Sequence, residues 1–400
     1  MKICIVTHRV VKGEGQGRVN YEIAMETLRQ GHEVVMISNE VGPELLEYEG
    51  ATWIKVFPSL RLPQLLRYQI FAWSSATQIR KLRKTKQVDL VMVNGFITWA
   101  RGDINAVHFV HSTWIKSPVH SFRVHRSWKR WYFGLYTLVN AYLERFAFRK
   151  SGRIIAVSEK VKHELIQLGT HPDKVQVIHN GVDVHEFYPS DAGEKSRMDI
   201  NSGRVVGLFA GDISSPRKNL DTVLKSMVSV PGLELVVAGS TARSIYPQMA
   251  EDLNIADRVH FLGYRKDMGY LMRNVDLFIF PSRYEACSLV VLEALASGIP
   301  VVITEESGVT EMIKNDQESI PPGVVLQDAN DVDGLAVILN TLMHDKSYLN
   351  EMGKASREVA LRNDWKKMSL TYLESYEDYL KHSGSHAGRM KRKQSIEVEL

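Results

Sequence analysis

Two carboxylates, Glu285 and Glu293, stand eight positions apart in PSRYEACSLVVLEALASGIPVV, the stretch from Pro281 to Val302. The text around them is apolar, so each acid must reach solvent at an edge or accept hydrogen bonds from something polar. Sugar or ribose hydroxyl groups would suit. The run LFIF reads as a strand ending at Pro281–Ser282. Ser288 reads as the N-cap of a helix through Leu295, ended by Ser297, Gly298 and Pro300. Glu285 is then a loop residue over the carboxyl end of a strand, and Glu293 falls in the second helical turn. Both can face one cleft, with plain solvent exposure of Glu293 as the competing reading.

Two further stretches carry the chemistry of phosphate binding. In GLFAGDISSPRKNLDTVLKSM a strand, a polar loop and a helix from about Asn219 place Arg217 and Lys218 at a helix entrance. There their charges oppose the helix dipole unless an anion offsets them. A diphosphate between the basic pair and the helix N-terminus would do so, and a solvated basic pair is the alternative. In THRVVKGEGQGRVNYEIAMETLRQGHEVVMIS a strand ends near Thr7, and glycines 13, 15 and 17 precede a helix from about Arg18 to Arg29. Gly15 and Gly17 can let backbone amides approach a phosphate at the helix mouth. A dinucleotide fingerprint fails here, because Asn20 occupies the place of its third glycine.

His108 and His111 close the run NAVHFVH. Three apart in a strand they point to opposite faces, so only one faces a cleft. Asp331 and Asp333 have the spacing of a metal-binding pair, yet they open a helix, where aspartate is ordinary. Cys287 lacks an identifiable basic partner for nucleophilic work. With Cys4 it makes two cysteines, too few for a disulfide framework or a metal cluster, which fits a reducing cytoplasm. No metal site is expected.

The elements that must position these residues alternate between short β-rich runs and longer helical patterns, the signature of parallel sheets covered by helices. The fold class is α/β, with two doubly wound Rossmann-like sheets in tandem. Residues 1–184 form the first domain, 185–203 a linker and 204–365 the second domain; 366–382 form a helix returning to the first, and 383–400 read as a disordered tail. The carboxyl-terminal edges of two such sheets face each other across a cleft. MKICIVTHRV reads as a first strand rather than a signal peptide, and the longest apolar-looking run, WYFGLYTLVNAYL, is too short to span a bilayer.

Charge is divided unevenly. Residues 1–184 hold 26 Lys and Arg against 15 Asp and Glu (+11), and residues 185–400 hold 24 against 31 (−7), which recovers the net +4. The basic first half should attract an anionic substrate or membrane surface. Within residues 115–150, Lys116, Arg123, Arg126, Lys129 and Arg130 mix with Trp128, Trp131, Tyr132 and Phe133. That mixture suits an interfacial helix on an anionic bilayer; the other reading buries the helix from Leu135 on and leaves only a solvated basic start.

Together these motifs resemble the retaining glycosyltransferases of the GT-B fold, of the group 1 / family 4 type that includes bacterial cell-envelope and exopolysaccharide enzymes. The resemblance covers about residues 1–380. It rests on Glu285-x7-Glu293 within its surrounding wording, on the glycine loop followed by RQGHEV, on Asn180-Gly-Val-Asp183 and on the PRK loop. It implies a metal-independent hexosyltransferase moving a sugar, with retention, from a nucleotide-diphosphate sugar to a glycan or lipid-linked acceptor hydroxyl. That donor is a substrate, and no cofactor is implied. By the same resemblance Glu285 contacts hydroxyls of the transferred sugar, Glu293 binds the ribose, and Lys218 with Arg217 neutralises the diphosphate. Gly15 and Gly17 bring amides to those phosphates, His111 approaches the reacting carbon, and the amides of Ser288 and Leu289 complete the cradle. The expected location is cytoplasmic, with association at the inner face of the cytoplasmic membrane as the reading that the basic and aromatic stretch allows. Two departures stand out: Asp212 replaces the arginine usual after the glycine of the second domain's first strand, and Ala286-Cys287-Ser288 replaces Gly-Phe-Gly. An NAD-dependent oxidoreductase, a non-catalytic nucleotide-sugar-binding protein and a sugar-nucleotide epimerase are the rivals.

Overall fold

The computed structural model describes residues 1–56, 62–124, 127–190, 204–314 and 319–397, with backbone alone over 384–397. In the first unit seven strands form one sheet: β1 (Lys2–Val6), β2 (Glu33–Ser38), β3 (Ala51–Lys55), β4 (Leu90–Asn94), β5 (Ile104–Val107), β6 (Arg153–Ala156) and β7 (Val175–Val177). Their order is 3-2-1-4-5-6-7, parallel throughout. The second unit has six: β8 (Val205–Ala210), β9 (Leu233–Ala238), β10 (Val259–Gly263), β11 (Leu277–Phe280), β12 (Val301–Thr304) and β13 (Gly323–Leu326). They run 10-9-8-11-12-13, again all parallel. Each strand overlaps one β-rich run of the sequence: KICIVTH, EVVMIS, TWIKVF, DLVMVNG, NAVHFVH, RIIAVS and KVQVIHNG in the first unit, and VVGLFAG, ELVVAGS, VHFLG, LFIFPS, PVVIT and GVVLQ in the second. In each sheet the winding reverses beside its first strand, where open α/β sheets form a ligand crevice.

Parallel strands covered on both faces need no polar alternation, and β4, LVMVN, is buried along its whole length. Side-chain period decides which core each residue joins. On β1, Ile3 and Ile5 pack with Val19, Ile23 and the closing helix, whereas Cys4 and Val6 pack with Val35, Phe71 and Ile79 on the other face.

The closing helix, Trp365–Glu397, lays Met368, Tyr372, Leu373 and Tyr376 onto the first unit. Its start is pinned at Asn180-Gly-Val-Asp183: a Cβ on Gly181 would lie 2.7 Å from the backbone of Trp365, and Val182 bonds Asn363 and Trp365 through its backbone. The backbone is helical up to Glu397, through residues that read as a tail, and residues 398–400 lie outside the described residues. So do residues 191–203, most of the expected linker.

Candidate functional site

Glu285 stands on the loop after β11, and backbone bonds fix that loop at both ends. Glu285 N donates to the Glu306 carbonyl at 3.0 Å, and Gly308 N donates to the Glu285 carbonyl at 3.1 Å. The carboxylate then accepts from Lys218 Nζ, while Arg217 Nη1 lies 3.3 Å from the same oxygen. The basic pair occupies a 3-10 turn, Pro216–Lys218, and the helix proper is Leu220–Met227. Between them Asn219 takes φ +68°, with its amide donating to the Pro281 and Ala329 carbonyls at 2.7 and 2.5 Å. Arg283 holds the turn against the glutamate loop. Its guanidinium makes a forked bond to Asp221 at 2.9 and 2.7 Å and reaches the Pro216 carbonyl at 2.8 Å. Burial pushes the Lys218 ammonium below its ordinary pKa, and Glu285 opposes that push.

Asp212 is exposed, and its Oδ1 accepts from the Ser214 amide at 2.9 Å and hydroxyl at 2.6 Å. It closes the loop on itself and does not extend toward Glu285 in any hydrogen bond or ion pair found for it.

The helix after Glu285 runs Leu289–Ala296, and Ser288 is its N-cap residue. The Ser288 hydroxyl does not cap the helix, although the side chain is buried. Leu289 packs into the cores of both units and approaches Gly15, whose Cβ would lie 4.0 Å away. The glycine-loop helix begins at Gly15 rather than Arg18, so Gly15 and Gly17 both lie in its first turn. Gly17 is fixed by space, since a Cβ there would sit 2.9 Å from Glu14 Oε2 and 3.2 Å from the Val11 carbonyl. Glu293 has its carboxyl raised from the ordinary 4.5 to about 7 by burial, with Glu186 adding and Arg18 opposing. Arg18 itself is held by Glu22 at 2.7 Å and by Asp183 at 3.1 Å.

The histidines correct the strand reading. β5 ends at Val107, and His111 opens a short helix, His111–Trp114, so the period of two no longer separates it from His108. Both line one cavity of the first unit, together with His8, Tyr68, Tyr136 and Glu144. Burial lowers both imidazoles to about 4. Glu144 caps the short helix by accepting from the amides of His111 at 2.8 Å and Ser112 at 2.7 Å. Burial raises this carboxyl to about 7 against those bonds.

The two units are strapped together beside the glutamate loop. Ser158 Oγ donates to the Ala286 carbonyl at 2.8 Å, Asn180 Nδ2 to the Cys287 carbonyl at 3.3 Å, and Lys160 Nζ to the Glu306 carboxylate at 2.6 Å. Tyr284 crosses to donate to Glu164 at 3.2 Å, with Phe109 and Trp114 each 5.4 Å from its ring. Sequence reasoning missed Tyr284, Arg283 and Glu144. The last had a signal: one acid inside the aromatic helix WYFGLYTLVNAYLERF. Burial raises the Cys287 thiol to about 12. Among the described residues no group of three or more His, Cys, Asp or Glu is placed to hold a metal ion.

Residues 13–186 match the family described as Glycosyltransferase Family 4, and residues 194–359 match Glycosyl transferases group 1. An uncharacterised glycosyltransferase of Methanocaldococcus jannaschii is 28% identical over 319 residues, 74% of this chain and 78% of that protein. The UDP-Gal:alpha-D-GlcNAc-diphosphoundecaprenol alpha-1,3-galactosyltransferase of Escherichia coli is 27% identical over 296 residues, 71% of this chain and 73% of that enzyme. The fold is shared with sucrose-phosphate synthase of Thermosynechococcus elongatus, at TM-score 0.77 and 17% identity over 95% of this chain and 99% of the other. It is shared too with Anabaena HepE in complex with UDP and glucose, at TM-score 0.67 and 21% identity over 94% of this chain and all of the other (100%). The two family matches follow one another along most of the chain and meet the tandem sheets one to one: the chain belongs to the group 1 / family 4 glycosyltransferases of the GT-B fold.

Proposed function

We propose that this protein transfers a sugar from a nucleotide-diphosphate donor to an acceptor hydroxyl, with retention, in the cleft beside Glu285. The observation that carries the reading is the pairing of Glu285 with Lys218 and Arg217 at the carboxyl end of β11. Without a donor, the carboxylate neutralises two cations. A diphosphate entering the cleft takes over those cations, which frees Glu285 to accept hydrogen bonds from sugar hydroxyls. The same cations then stabilise the charge that develops on the departing diphosphate, the term that dominates such transfers. The acceptor hydroxyl attacks from the face that the phosphate leaves, and the phosphate takes its proton.

The remaining roles follow this placement. Glu293, half-buried with a raised pKa, accepts from ribose hydroxyls. Backbone amides at Gly15, Gly17, Ser288 and Leu289 meet the phosphates from two helix N-termini, and His111 approaches the reacting carbon. Support for a UDP-sugar donor comes from the names of the Escherichia coli and Anabaena proteins. An oxidoreductase lacks support, since the third fingerprint glycine is Asn20, whose side chain is spent on Asn94. The deciding experiment measures nucleotide release from a panel of UDP-, GDP- and ADP-sugars; undiminished turnover in both Glu285→Ala and Lys218→Ala would refute the site.

A peripheral membrane contact has a specific basis. On helix Lys129–Lys150 and the residue before it, Trp128, Trp131, Leu135, Leu138 and Tyr142 recur at helical spacing, and every one is more than half exposed. The adjoining helix, Gln64–Lys84, adds exposed Leu66, Ile70 and Trp73. From Leu135 on the helix buries one face, with Thr137, Asn140, Ala141, Leu143, Glu144 and Phe148, and leaves Leu135, Leu138 and Tyr142 exposed on the other. Arg123, Lys129 and Arg145 supply basic neighbours for an anionic interface. No helix among the described residues is long and apolar enough to cross a membrane.

A further inference from the structure

Tyr284 and Glu285 are neighbours in the chain, yet their side chains serve different units. Glu285 turns back to Lys218 and Arg217 of the second unit. Tyr284 leaves that unit and packs into the first, with 4% of its surface exposed. Its hydroxyl donates to the Glu164 carboxylate at 3.2 Å, and the Val110 backbone amide acts on the same oxygen. Phe109 and Trp114 each stand 5.4 Å from its ring, and Lys160 Nζ lies 4.9 Å from the ring centre.

That socket is built around His111. Phe109 and Val110 precede the histidine, Trp114 follows it, and the Phe109 ring meets the imidazole edge-on at 5.0 Å. Helix Glu159–Gln167, which supplies Glu164, adds a second tie. Its Lys160 Nζ donates to the Glu306 carbonyl at 2.6 Å, and that carbonyl also accepts from Glu285 N at 3.0 Å. Residues of the first unit therefore hold Glu285 both through the side chain before it and through its own backbone partner.

Packing alone gives no reason for the Tyr284 hydroxyl, since a phenylalanine would keep the same ring contacts. Glu164 is itself 7% exposed, and burial raises its carboxyl to about 7 while Lys160 opposes. A carboxyl in such a place is costly unless it is bonded, and a hydroxyl aimed at it makes one of the stronger and more directional hydrogen bonds.

Building on the glycosyltransferase reading, we propose that Tyr284 is a positioning residue for the transfer: its hydroxyl, held by Glu164 and Val110, sets where Glu285 of one unit stands relative to His111 of the other. In that reading the sugar held by Glu285 carries the carbon that His111 approaches, so an error in this placement falls on the reacting centre. The diphosphate contacts at Arg217 and Lys218 lie within the second unit and are spared. Loss of the hydroxyl thus separates chemistry from donor binding.

The test uses the full chain and a sugar nucleotide from which the parent releases nucleotide. Tyr284→Phe is expected to lower kcat about ten-fold, the scale of one lost hydrogen bond to a charged group, and Tyr284→Ala about 10²-fold. Equilibrium Kd for the nucleoside diphosphate of that donor should stay within about two-fold in the Phe variant. Glu164→Ala should match Tyr284→Phe, and the double variant should be no slower than the slower single, because both remove one bond. Parental kcat in Tyr284→Phe with a lowered melting temperature would mark the residue as merely structural and overturn the proposal. So would a weakening of nucleotide binding equal to the loss of kcat, or losses that multiply in the double variant. If Glu164→Ala does not fold, the kcat and Kd of Tyr284→Phe decide alone. No nucleotide release by the parent from any sugar nucleotide would instead overturn the glycosyltransferase reading on which this rests.

Discussion

Lys218 and Glu285 meet as an ion pair at the mouth of the second sheet, and Arg217 shares the same carboxylate oxygen. Both partners of the pair are mostly shielded from water, with side-chain exposures of 13% and 15%, so neither charge is left to solvent when the other is removed. Loss of either partner therefore does two things: it deletes a proposed contact to the donor, and it unbalances a poorly solvated cluster of one carboxylate and two cations. Glu285→Gln and Lys218→Ala should each lower kcat/KM at least about 10²-fold. Initial rates of nucleotide release check this, with melting curves of each variant confirming that the chain still folds.

The raised carboxyl of Glu293 makes stability depend on pH with a definite sign. Its folded pKa, about 7, lies above the ordinary 4.5, so the folded chain keeps a proton that the unfolded chain has lost. Stability from this group is fully lost only as pH rises from 4.5 through about 7. Glu293→Gln should flatten that fall, and the variant should gain on the parent as pH goes from about 5 to about 8. His108 and His111, lowered to about 4, work oppositely and cost stability as pH drops below 6.5. The decisive quantity is thus the difference between the two proteins, followed by urea unfolding across the range. A difference that does not vary with pH would contradict the assignment.

Gly308 couples the site to the contact between the units. A Cβ there would lie 1.7 Å from the Ala286 carbonyl oxygen and 2.6 Å from Ser158 Oγ. Backbone cannot yield that far without moving the glutamate loop. Gly308→Ala should lower the melting temperature and reduce transfer at least about ten-fold, since small displacements of positioned groups are costly. Full activity at an unchanged melting temperature would show that the loop accommodates the methyl group.

The exposed apolar row offers a separable prediction. Replacing Leu135 and Leu138 by glutamate puts charges on a face that is already in water, so stability should change by no more than about 0.5 kcal/mol. Flotation with vesicles containing anionic lipid should fall at least several-fold, because about 1–2 kcal/mol is lost for each large apolar side chain withdrawn from the interface. Equal flotation of parent and variant would remove the membrane contact from the proposed function.

The sequence by itself determined the elements and their class. Thirteen strands were legible as β-rich runs because parallel strands covered on both faces read as continuous apolar text, and their alternation with helical patterns leaves few topologies. It also determined which residue types could bind phosphate and hydroxyl groups, since Glu285, Arg217 and Lys218 occupy loops and turns, and Glu293 an apolar helix, where folding alone gives no reason for them. The tertiary structure decided which of these residues meet. That Glu285 pairs with Lys218, 67 residues away, that His108 and His111 share one cavity, and that Leu135 and Leu138 face water depends on how elements pack. Periodicity describes one element at a time; it predicted opposite faces for the histidines only because it could not see the strand end at Val107. Burial, and with it the raised carboxyls of Glu144 and Glu293, exists only once both units and the closing helix are in place.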